Sequence, residues 1–310
     1  MAVFTPVSDD DARGFLRAYD LGELTALTPI AEGVENTNYA LETTHGRFVL
    51  TLFEGRTQAA ALPFCLGLTD HLAQARLPMA RPVRDRSGDL LGSLNGRSAA
   101  IVEWLDGAWL RAPQADQRVQ AGAMLARMHG AAAGFAMRRD NPVGPAAWRA
   151  LADRIAARAQ GADRAMLDRI EAELADLGPD PFGGDLPTGA IHADYFPDNV
   201  LFADGVLSGV IDFYFACTGP LAYDLAIAMT AWGFDGEGRP LDGAMAALRD
   251  GYETVRSLTE AEAAALPRLG RAACLRFSLT RLHDRVFHDP THLVTPKDPA
   301  AFLVRLDGWV

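Results

Sequence analysis

The sequence predicts an α+β fold, with a β-rich first third followed by a larger and mainly helical remainder. Two observations support this prediction. Short apolar runs of strand length dominate the first hundred residues, whereas beyond residue 105 apolar residues recur mostly at helical spacing in Ala-, Leu- and Arg-rich stretches. We therefore expect two domains, residues 1–104 and 105–310, of which the first contains an antiparallel five-stranded sheet and one long helix.

The expected elements of the first domain follow one another closely. A helix pattern comes first, and Pro63 is tolerable only in the first turn of the second helix. His45 and Gly46 are the turn of a hairpin between the second and third strands. The expected helices are residues 9–21 and 57–75, and the expected strands are residues 27–32, 38–44, 47–53, 79–84 and 98–104.

The second domain is expected to be helical except for three short strands around one loop. Pro267 should interrupt the last helical stretch, because proline removes a backbone donor. The expected helices are residues 115–132, 148–160, 164–177, 222–232, 241–255, 259–265 and 268–288. The expected strands are residues 189–192, 199–202 and 207–212.

Composition excludes several classes of protein. The chain has 310 residues, 49% of them hydrophobic, and a net charge of −11, which argues against a nucleic-acid or anionic-membrane partner. No apolar run approaches the roughly 18 residues of a membrane span, and the first residues are acidic rather than signal-like. We expect a cytoplasmic protein. The three cysteines lie far apart and have neither zinc-ligand nor disulfide-framework spacing.

The strongest chemical signal is the run HADYFPDN at residues 192–199, followed by an apolar strand that ends in Asp212. Phosphoryl transfer requires an acceptor hydroxyl aimed at the phosphate and cations that offset the phosphate charge. Asp194 is suited to orient the hydroxyl and accept its proton. Asn199 and Asp212 are oxygen ligands of the kind that Mg²⁺ prefers. The structural alternative is that Asp194 and Asn199 only cap turns.

These motifs resemble the catalytic and metal loops of the aminoglycoside phosphotransferase and choline kinase superfamily, and within it most of all the homoserine kinases of that fold. Further stretches extend the resemblance over nearly the whole chain, among them residues 31–54, 125–131, 208–234 and 294–303. The resemblance implies a protein-kinase-like bilobal fold and ATP and Mg²⁺ as cofactors. It also implies phosphorylation of L-homoserine in threonine biosynthesis.

The resemblance also implies where the nucleotide binds. Residues 33–38 would cover the phosphates, with Gly33 allowing close backbone approach and Asn36 and Asn38 donating to phosphate oxygens. Glu103 and Trp104 would form the hinge that meets the adenine edge, although an interior strand is an equally good interpretation of those residues alone.

One element of the protein-kinase pattern is missing. Protein kinases carry a lysine on the third strand, paired with a glutamate of the following helix. Here Thr51 occupies that position, Lys297 is the only lysine of the chain, and residues 57–75 contain no glutamate. The phosphates must be held differently, and Arg56, Arg47 and backbone amides are the candidates.

The acceptor site is expected beside Asp194. A substrate carboxylate favours arginine, and Arg276 and Arg281 lie in the late helix, where their spacing of five predicts that at most one faces the site. Asp198, Tyr195 and Tyr214 are the candidates for the ammonium or the hydroxyl.

Three more side chains are interpreted as structural. His129 is expected to pack or hydrogen-bond, His192 to shape the loop, and Asp224 to hold the loop or cap its own helix.

Two alternatives to homoserine phosphorylation remain open at this stage. The first is a kinase of the same fold acting on another small amino alcohol, choline or an aminoglycoside. The second, prompted by the absent lysine, is a catalytically silent nucleotide-binding module. The sequence does not indicate the oligomeric state.

Overall fold

The computed structural model of the protein describes residues 4–30, 36–54, 59–288 and 296–309. The chain forms two compact units, Met1–Gly107 with Ser208–Tyr214, and Ala108–Leu207 with Phe215–Val310. The segment Ser208–Tyr214 contains Asp212 and belongs to the first unit. The sequence predicts a boundary at residue 104, with the nucleotide covered by the first domain and the substrate bound by the second. This division of roles stays a prediction.

The first unit is built on an antiparallel five-stranded sheet, as the sequence predicts. Its strand order is β1–β2–β3–β5–β4, so the hairpin β2–β3 lies at the centre and β4 at one edge. The strands are β1 (Leu24–Pro29), β2 (Thr37–Thr43), β3 (Gly46–Phe53), β4 (Gly92–Leu94) and β5 (Arg97–Glu103).

The expected strand at residues 79–84 is wrong. Only isolated bridges form there, from Met79 to Val210 and from Pro82 to Val102. Pro82 lacks an N–H group, so the segment cannot continue a regular ladder. The remaining strand is instead β4, which a two-residue turn at Asn95–Gly96 joins to β5; both turn residues have positive φ, 50° and 77°. Asn-Gly is itself a strong hairpin signal, and it indicates a strand before residue 95.

The first unit also contains the helices α1 (Asp9–Leu16) and α2 (Leu62–Gln74). Ser8 and Asp11 cap the start of α1 reciprocally, and Pro63 lies in the first turn of α2 as expected. Helix α1 ends five residues earlier than predicted. Its apolar face packs with the fully buried leucines of β2 and β3 in one core.

The second unit is mainly helical, as predicted. Helix α8 packs against α4, α5, α6 and α9 and is its central element. The helices are α3 (Ala115–Ala131), α4 (Pro145–Ala156), α5 (Gly161–Leu177), α6 (Leu221–Trp232), α7 (Ala244–Glu253), α8 (Glu260–Val286) and α9 (Ala300–Leu306). Over the described ranges, no helix is both long and apolar enough to cross a membrane.

The expected break of the last long helix is also wrong. Pro267 lies inside α8, which continues without interruption from Glu260 to Val286. A proline inside a helix costs about 3 kcal/mol. Leu266 and Leu269 on either side are buried, and burying two such side chains contributes about 1.5–3 kcal/mol each, which offsets the cost.

The remaining strands are short. One pair is antiparallel, β7 (Thr188–Ile191) with β10 (Cys217–Pro220), and a three-stranded sheet has the order β6–β8–β9. The strands of that sheet are β6 (Ala108–Trp109), β8 (Val200–Ala203) and β9 (Val206–Val210), and from Ser208 onward β9 belongs to the first unit. The HADYFPDN run therefore connects β7 to β8, and the chain reaches Asp212 just after β9.

Candidate active site

The loop at residues 192–199 is held at its first turn by one carboxylate. Asp224 on α6 accepts the N–H of His192 at 2.8 Å and the N–H of Ala193 at 2.7 Å. Ala193 has φ of +61°, a conformation that costs energy for a residue with a Cβ atom. The two hydrogen bonds from consecutive amides maintain this turn, so the expectation that Asp224 holds the loop is confirmed.

Asp224 is itself fully buried and paired. His129 Nε2 lies 3.0 Å from its Oδ2 atom, and His129 Nδ1 lies 2.8 Å from the hydroxyl of Tyr252. Burial alone would raise the pKa of Asp224, but the hydrogen bonds from His129 and from the N–H of His192 hold it below its usual range. His129 is a hydrogen-bonding residue, as expected.

The backbone of Asp194 is fixed while its carboxylate stays accessible. Its N–H donates to His192 Nδ1 at 3.2 Å, and its carbonyl accepts Asn199 Nδ2 at 2.8 Å. The side chain remains 21% exposed. Burial raises the pKa of Asp194 above its usual range, against the opposing charge of Arg276. A carboxylate with a raised pKa is a better proton acceptor, which fits the role predicted for it.

The side-chain oxygen of Asn199 is the atom available to a ligand. Its amide nitrogen is used on Asp194, so the Oδ1 atom is the part left to act as a ligand. The side chain is buried and lies in a short 3₁₀ turn that begins at Pro197. This orientation suits a hard oxygen ligand for a divalent cation.

Arg276 is a structural cation rather than a substrate contact. Its Nη1 atom donates to the carbonyl of Ala193 at 2.7 Å and lies 3.6 Å from Asp194 Oδ1. The guanidinium packs over the rings of Phe215 and Phe277 and is 2% exposed. Its place is therefore behind the loop, where its positive charge opposes the rise that burial causes in the pKa of Asp194.

Arg281 packs over the ring of Phe302, and its predicted contact with the substrate carboxylate stays a prediction. Burial and the charge of Arg305 lower the pKa of Arg281 to about 10, while Asp194 and Asp198 act in the opposite direction. Its Nη1 atom donates to the carbonyl of Asp298.

Lys297 was not predicted as a site residue. Its Nζ atom lies 3.4 Å from Asp198 Oδ2, and both side chains are exposed. The lysine also acts electrostatically on Asp194. The predicted base therefore experiences charges of both signs, negative from Asp198 and positive from Arg281 and Lys297. The sequence signal was present, since residues 294–303 carry part of the family resemblance.

Tyr195 lies in the core. Its side chain has no exposed surface, and its hydroxyl donates to the carbonyl of Ala121 at 3.1 Å. Its own carbonyl accepts the indole N–H of Trp232. With its hydroxyl partnered and its ring enclosed, Tyr195 supports the loop from beneath, and the expectation that it contacts substrate is corrected.

Asp212 and Tyr214 belong to the other compact unit. Asp212 follows β9 with φ of +65°, a strained conformation of the kind that clusters at functional sites. Tyr214 meets the ring of Phe53 edge-on at 5.1 Å. Its predicted contact with substrate stays a prediction.

The two asparagines of the nucleotide-covering segment have their oxygens occupied. Asn36 Oδ1 accepts the N–H of Glu54 at 3.2 Å, and Asn38 Oδ1 accepts the hydroxyl of Thr51 at 2.8 Å. Their amide nitrogens are thereby left as donors, as a phosphate contact requires. Gly33 and Arg56, also predicted to contact the nucleotide, lie outside the described residues.

The expected hinge follows β5. Glu103 is the last residue of β5, and its N–H donates to the carbonyl of Arg81 at 2.8 Å. Arg47 stacks on the ring of Trp104, with its guanidinium carbon 3.6 Å from the ring centre. Arg47 is therefore engaged with Trp104, and its contact with the phosphates stays a prediction. The adenine contact of Glu103 and Trp104 stays a prediction.

Comparisons with known proteins agree with this site. The phosphotransferase enzyme family matches residues 26–258. Homoserine kinase of Sinorhizobium fredii is 47% identical over 99% of this chain and 94% of that protein. Homoserine kinase of Gluconacetobacter diazotrophicus is 49% identical over 99% of this chain and 96% of that protein.

Solved structures share the fold at low identity. Choline kinase from Cryptosporidium parvum has a TM-score of 0.71 at 13% identity, over 97% of this chain and 94% of that one. The amicoumacin kinase hAmiN, in complex with AMP-PNP, Ca²⁺ and Ami, has a TM-score of 0.69 at 14% identity, over 98% and 92%. The protein-kinase-like fold class is thereby confirmed.

The loop held by Asp224, with an accessible carboxylate and an amide oxygen beside it, is that of a phosphotransferase, and the chain belongs to the phosphotransferase enzyme family. Its relatives over the full length are named homoserine kinase, which confirms the resemblance seen in the sequence.

Proposed function

We propose that this enzyme transfers the γ-phosphoryl group of ATP to the hydroxyl of L-homoserine, giving O-phospho-L-homoserine for threonine synthesis in the cytoplasm. The observation that carries the proposal is similarity over 99% of the chain to relatives named homoserine kinase, at 46–49% identity. The site geometry supports it independently, because Asp194 is fixed, ionisable and accessible.

In this proposal Asp194 aligns the substrate hydroxyl and accepts its proton. Even with its pKa raised by burial, this aspartate is a weak base toward an alcohol, so the proton moves late and alignment accounts for most of the rate enhancement. Arg276 steadies the loop through the carbonyl of Ala193. His192 fixes the direction of Asp194 by accepting its N–H.

Asn199 and Asp212 are the residues that would hold Mg²⁺, which when bound offsets the negative charge of the phosphate oxygens. The donor types fit, since an amide oxygen and a carboxylate are both hard ligands. Over the described residues there is no cluster of three or more His, Cys, Asp or Glu side chains suited to a metal. A kinase magnesium site needs no such cluster, because phosphates and water provide the other ligands.

Homoserine carries a carboxylate and an ammonium group, and the surroundings of Asp198 match both. Arg281 and Lys297 provide positive charge for the carboxylate, and Asp198 provides negative charge for the ammonium. An aminoglycoside is a polycation and would meet repulsion from the same two side chains. This charge pattern favours an amino acid as acceptor.

The proposal is tested with purified enzyme, ATP, Mg²⁺ and a panel of acceptors: L-homoserine, L-serine, aminopropanol, choline and an aminoglycoside. We expect ADP release with L-homoserine to exceed that with every other acceptor. Absence of ADP release above background with L-homoserine contradicts the proposal, and a higher kcat/KM for another member identifies the acceptor instead.

Lys297→Met is expected to raise KM for L-homoserine about tenfold and to leave KM for ATP unchanged. A charge-assisted hydrogen bond contributes about 1.5–3 kcal/mol, and the lower end applies to this exposed group. Steady-state kinetics with each substrate varied in turn provide the measurement.

The matched control for this variant is Arg149→Met. It removes another exposed cation that pairs with an aspartate, Asp153 at 3.3 Å on α4. Equal values of KM for homoserine in Lys297→Met and in wild type would show that the lysine does not bind the acceptor.

A further inference from the structure

A cavity of about 520 Å³ lies within the first unit and is lined by α1 and the turn after it, by Asp85 and by β4. Small-molecule sites have volumes of about 300–1,000 Å³. We propose that this cavity binds a small organic cation, an alkylammonium ion, whose charge meets carboxylates and whose carbon chain packs on aromatic rings. The proposal goes beyond the proposed function, because none of the lining residues is assigned there to nucleotide, metal or acceptor.

Carboxylates determine the charge of the cavity. Asp10 and Asp11 on α1 and Asp85 line it, whereas no lysine, arginine or histidine of the described residues does so. Within the described ranges, none of these three aspartates forms an ion pair with a basic side chain. A ligand that offsets this charge is therefore a cation.

The arginines that are close in sequence to these segments are engaged elsewhere. Arg13 Nη2 lies 3.6 Å from Asp9 Oδ2, and Arg86 Nη1 donates to the carbonyl of Arg17 at 3.0 Å. Neither Arg13 nor Arg86 lines the cavity. The negative charge of the lining is thus left for a ligand to neutralise.

The aspartates are held in place without using all of their oxygens. Asp11 accepts the backbone N–H and the hydroxyl of Ser8 through Oδ2, and Asp85 accepts two N–H groups of its own turn through Oδ1. Among the described residues, Asp11 Oδ1, Asp85 Oδ2 and the carboxylate of Asp10 have no hydrogen-bond partner. An ionised carboxylate has about four acceptor sites, so capacity remains for the N–H groups of an ammonium ion.

A buried hydroxyl provides an independent indication of a ligand. Tyr19 lines the cavity and is 2% exposed, and its hydroxyl has no hydrogen-bond partner in the part of the chain that the structure describes. A Cβ atom added at Gly92, which also lines the cavity, would lie 3.7 Å from this hydroxyl oxygen. Burial and the charge of Asp85 raise the pKa of Tyr19 to about 12. The hydroxyl is therefore neutral at pH 7, and its oxygen can accept an N–H group.

Two aromatic rings give the cavity an apolar wall. The rings of Phe15 and Tyr19 have their centres 5.2 Å apart and are tilted by 48°. The missing side chain at Gly92 leaves space beside them, since a Cβ atom there would lie 2.6 Å from the ring of Phe15. An aromatic face attracts a cation within about 6 Å of its centre. An alkylammonium ion uses the carboxylates, the hydroxyl and the rings together, whereas a hydrated metal ion uses only the oxygens.

The first test is calorimetry on the full chain with n-butylammonium and 1,4-diammoniobutane, in the absence of ATP and acceptor. We expect one saturable site for each, tighter for the dication and weaker as salt is added, because salt screens exposed charges. Butyrate and 1-butanol, which have the same chain without the positive charge, should not bind. The result does not depend on which acceptor the enzyme phosphorylates.

Asp10→Asn should weaken n-butylammonium binding about fivefold, the effect of one hydrogen bond to a charged group at an exposed position. Its matched control is Asp9→Asn, which removes the same charge from the same turn of α1. Asp9 does not line the cavity. This control should bind n-butylammonium as wild type does.

Tyr19→Phe should also weaken n-butylammonium binding about fivefold, and it should leave the thermal midpoint unchanged because the hydroxyl bonds no described protein group. Tyr39→Phe is the matched control, since the hydroxyl of Tyr39 is also buried but accepts the N–H of Val7 at 2.9 Å. It should lower the thermal midpoint and keep the affinity of wild type.

Several outcomes would overturn the proposal. One is the absence of saturable binding of both ammonium probes. Another is an equal loss of affinity in Asp10→Asn and Asp9→Asn, which would indicate attraction by the net charge rather than a site. Wild-type affinity in Tyr19→Phe would remove the hydroxyl from the site. Tighter binding of Na⁺ or Mg²⁺ than of n-butylammonium, weakened by the same variants, would identify a metal-ion site instead.

Discussion

Asp194→Asn is expected to lower kcat for phosphoryl transfer about a thousandfold, within the range that a positioned proton acceptor contributes. The substitution removes the accepting carboxylate but keeps the side-chain shape. The bond from Asn199 ends mainly on the backbone carbonyl of residue 194, so the loop should persist. ADP release measures the turnover, and calorimetry with ATP measures binding, which should stay within about twofold of wild type.

The control for this variant is Asp242→Asn, which removes the same charge from an exposed position of the same compact unit. It should retain wild-type turnover. Equal phosphoryl transfer by wild type and Asp194→Asn would show that Asp194 is misassigned. Absence of turnover in wild type together with intact ATP binding would instead favour a silent nucleotide-binding module.

Asp224→Ala is expected to lower the free energy of unfolding by about 3–5 kcal/mol, because it leaves two backbone N–H groups and His129 without their buried acceptor. Turnover should be lost as well, since the strained turn at Ala193 loses the carboxylate that accepts both of its N–H groups. Urea unfolding followed by circular dichroism measures the stability.

The pH dependence of stability provides a second test of Asp224. Its pKa is lower in the folded state than in the unfolded chain, so its contribution to stability is present above the unfolded value of about 3.9 and is lost as pH falls through the lower folded value. Wild type should therefore lose more stability on acidification through that window than Asp224→Asn. Equal slopes would contradict the assignment.

Asp235→Ala is the matched control for this second variant. Asp235 also accepts two backbone N–H groups, those of Glu237 and Arg239, but in a partly exposed turn. Water can replace the lost acceptor there, so the expected loss is about 1 kcal/mol and turnover is unchanged.

Much of the fold could be predicted because local patterns agree with the final packing. The apolar runs of β2, β3 and β5 and the Ala- and Leu-rich stretches of α3, α5 and α6 are examples. The errors arose where tertiary contacts override local preference. Pro267 is retained inside α8 because its neighbours are buried, and β4 is only three residues long, so it has too few side chains to show an alternating pattern.

Some residues of the candidate site could likewise be predicted from local patterns, and others could not. Spacing and residue chemistry were sufficient for Asp194 and Asn199, because both belong to one short loop. Tyr195 was misassigned, since sequence does not indicate which face of a turn is buried. Lys297 was missed because its partner, Asp198, is 99 positions away, and no local pattern reports so distant a pairing.

The single lysine has a practical consequence for experiments. A chain with one ε-amino group offers an amine-directed reagent a single lysine. Lys297 is 58% exposed and adjoins Asp198. Acylation of this nitrogen removes its positive charge, so the acylated enzyme should show the same rise in KM for homoserine as Lys297→Met.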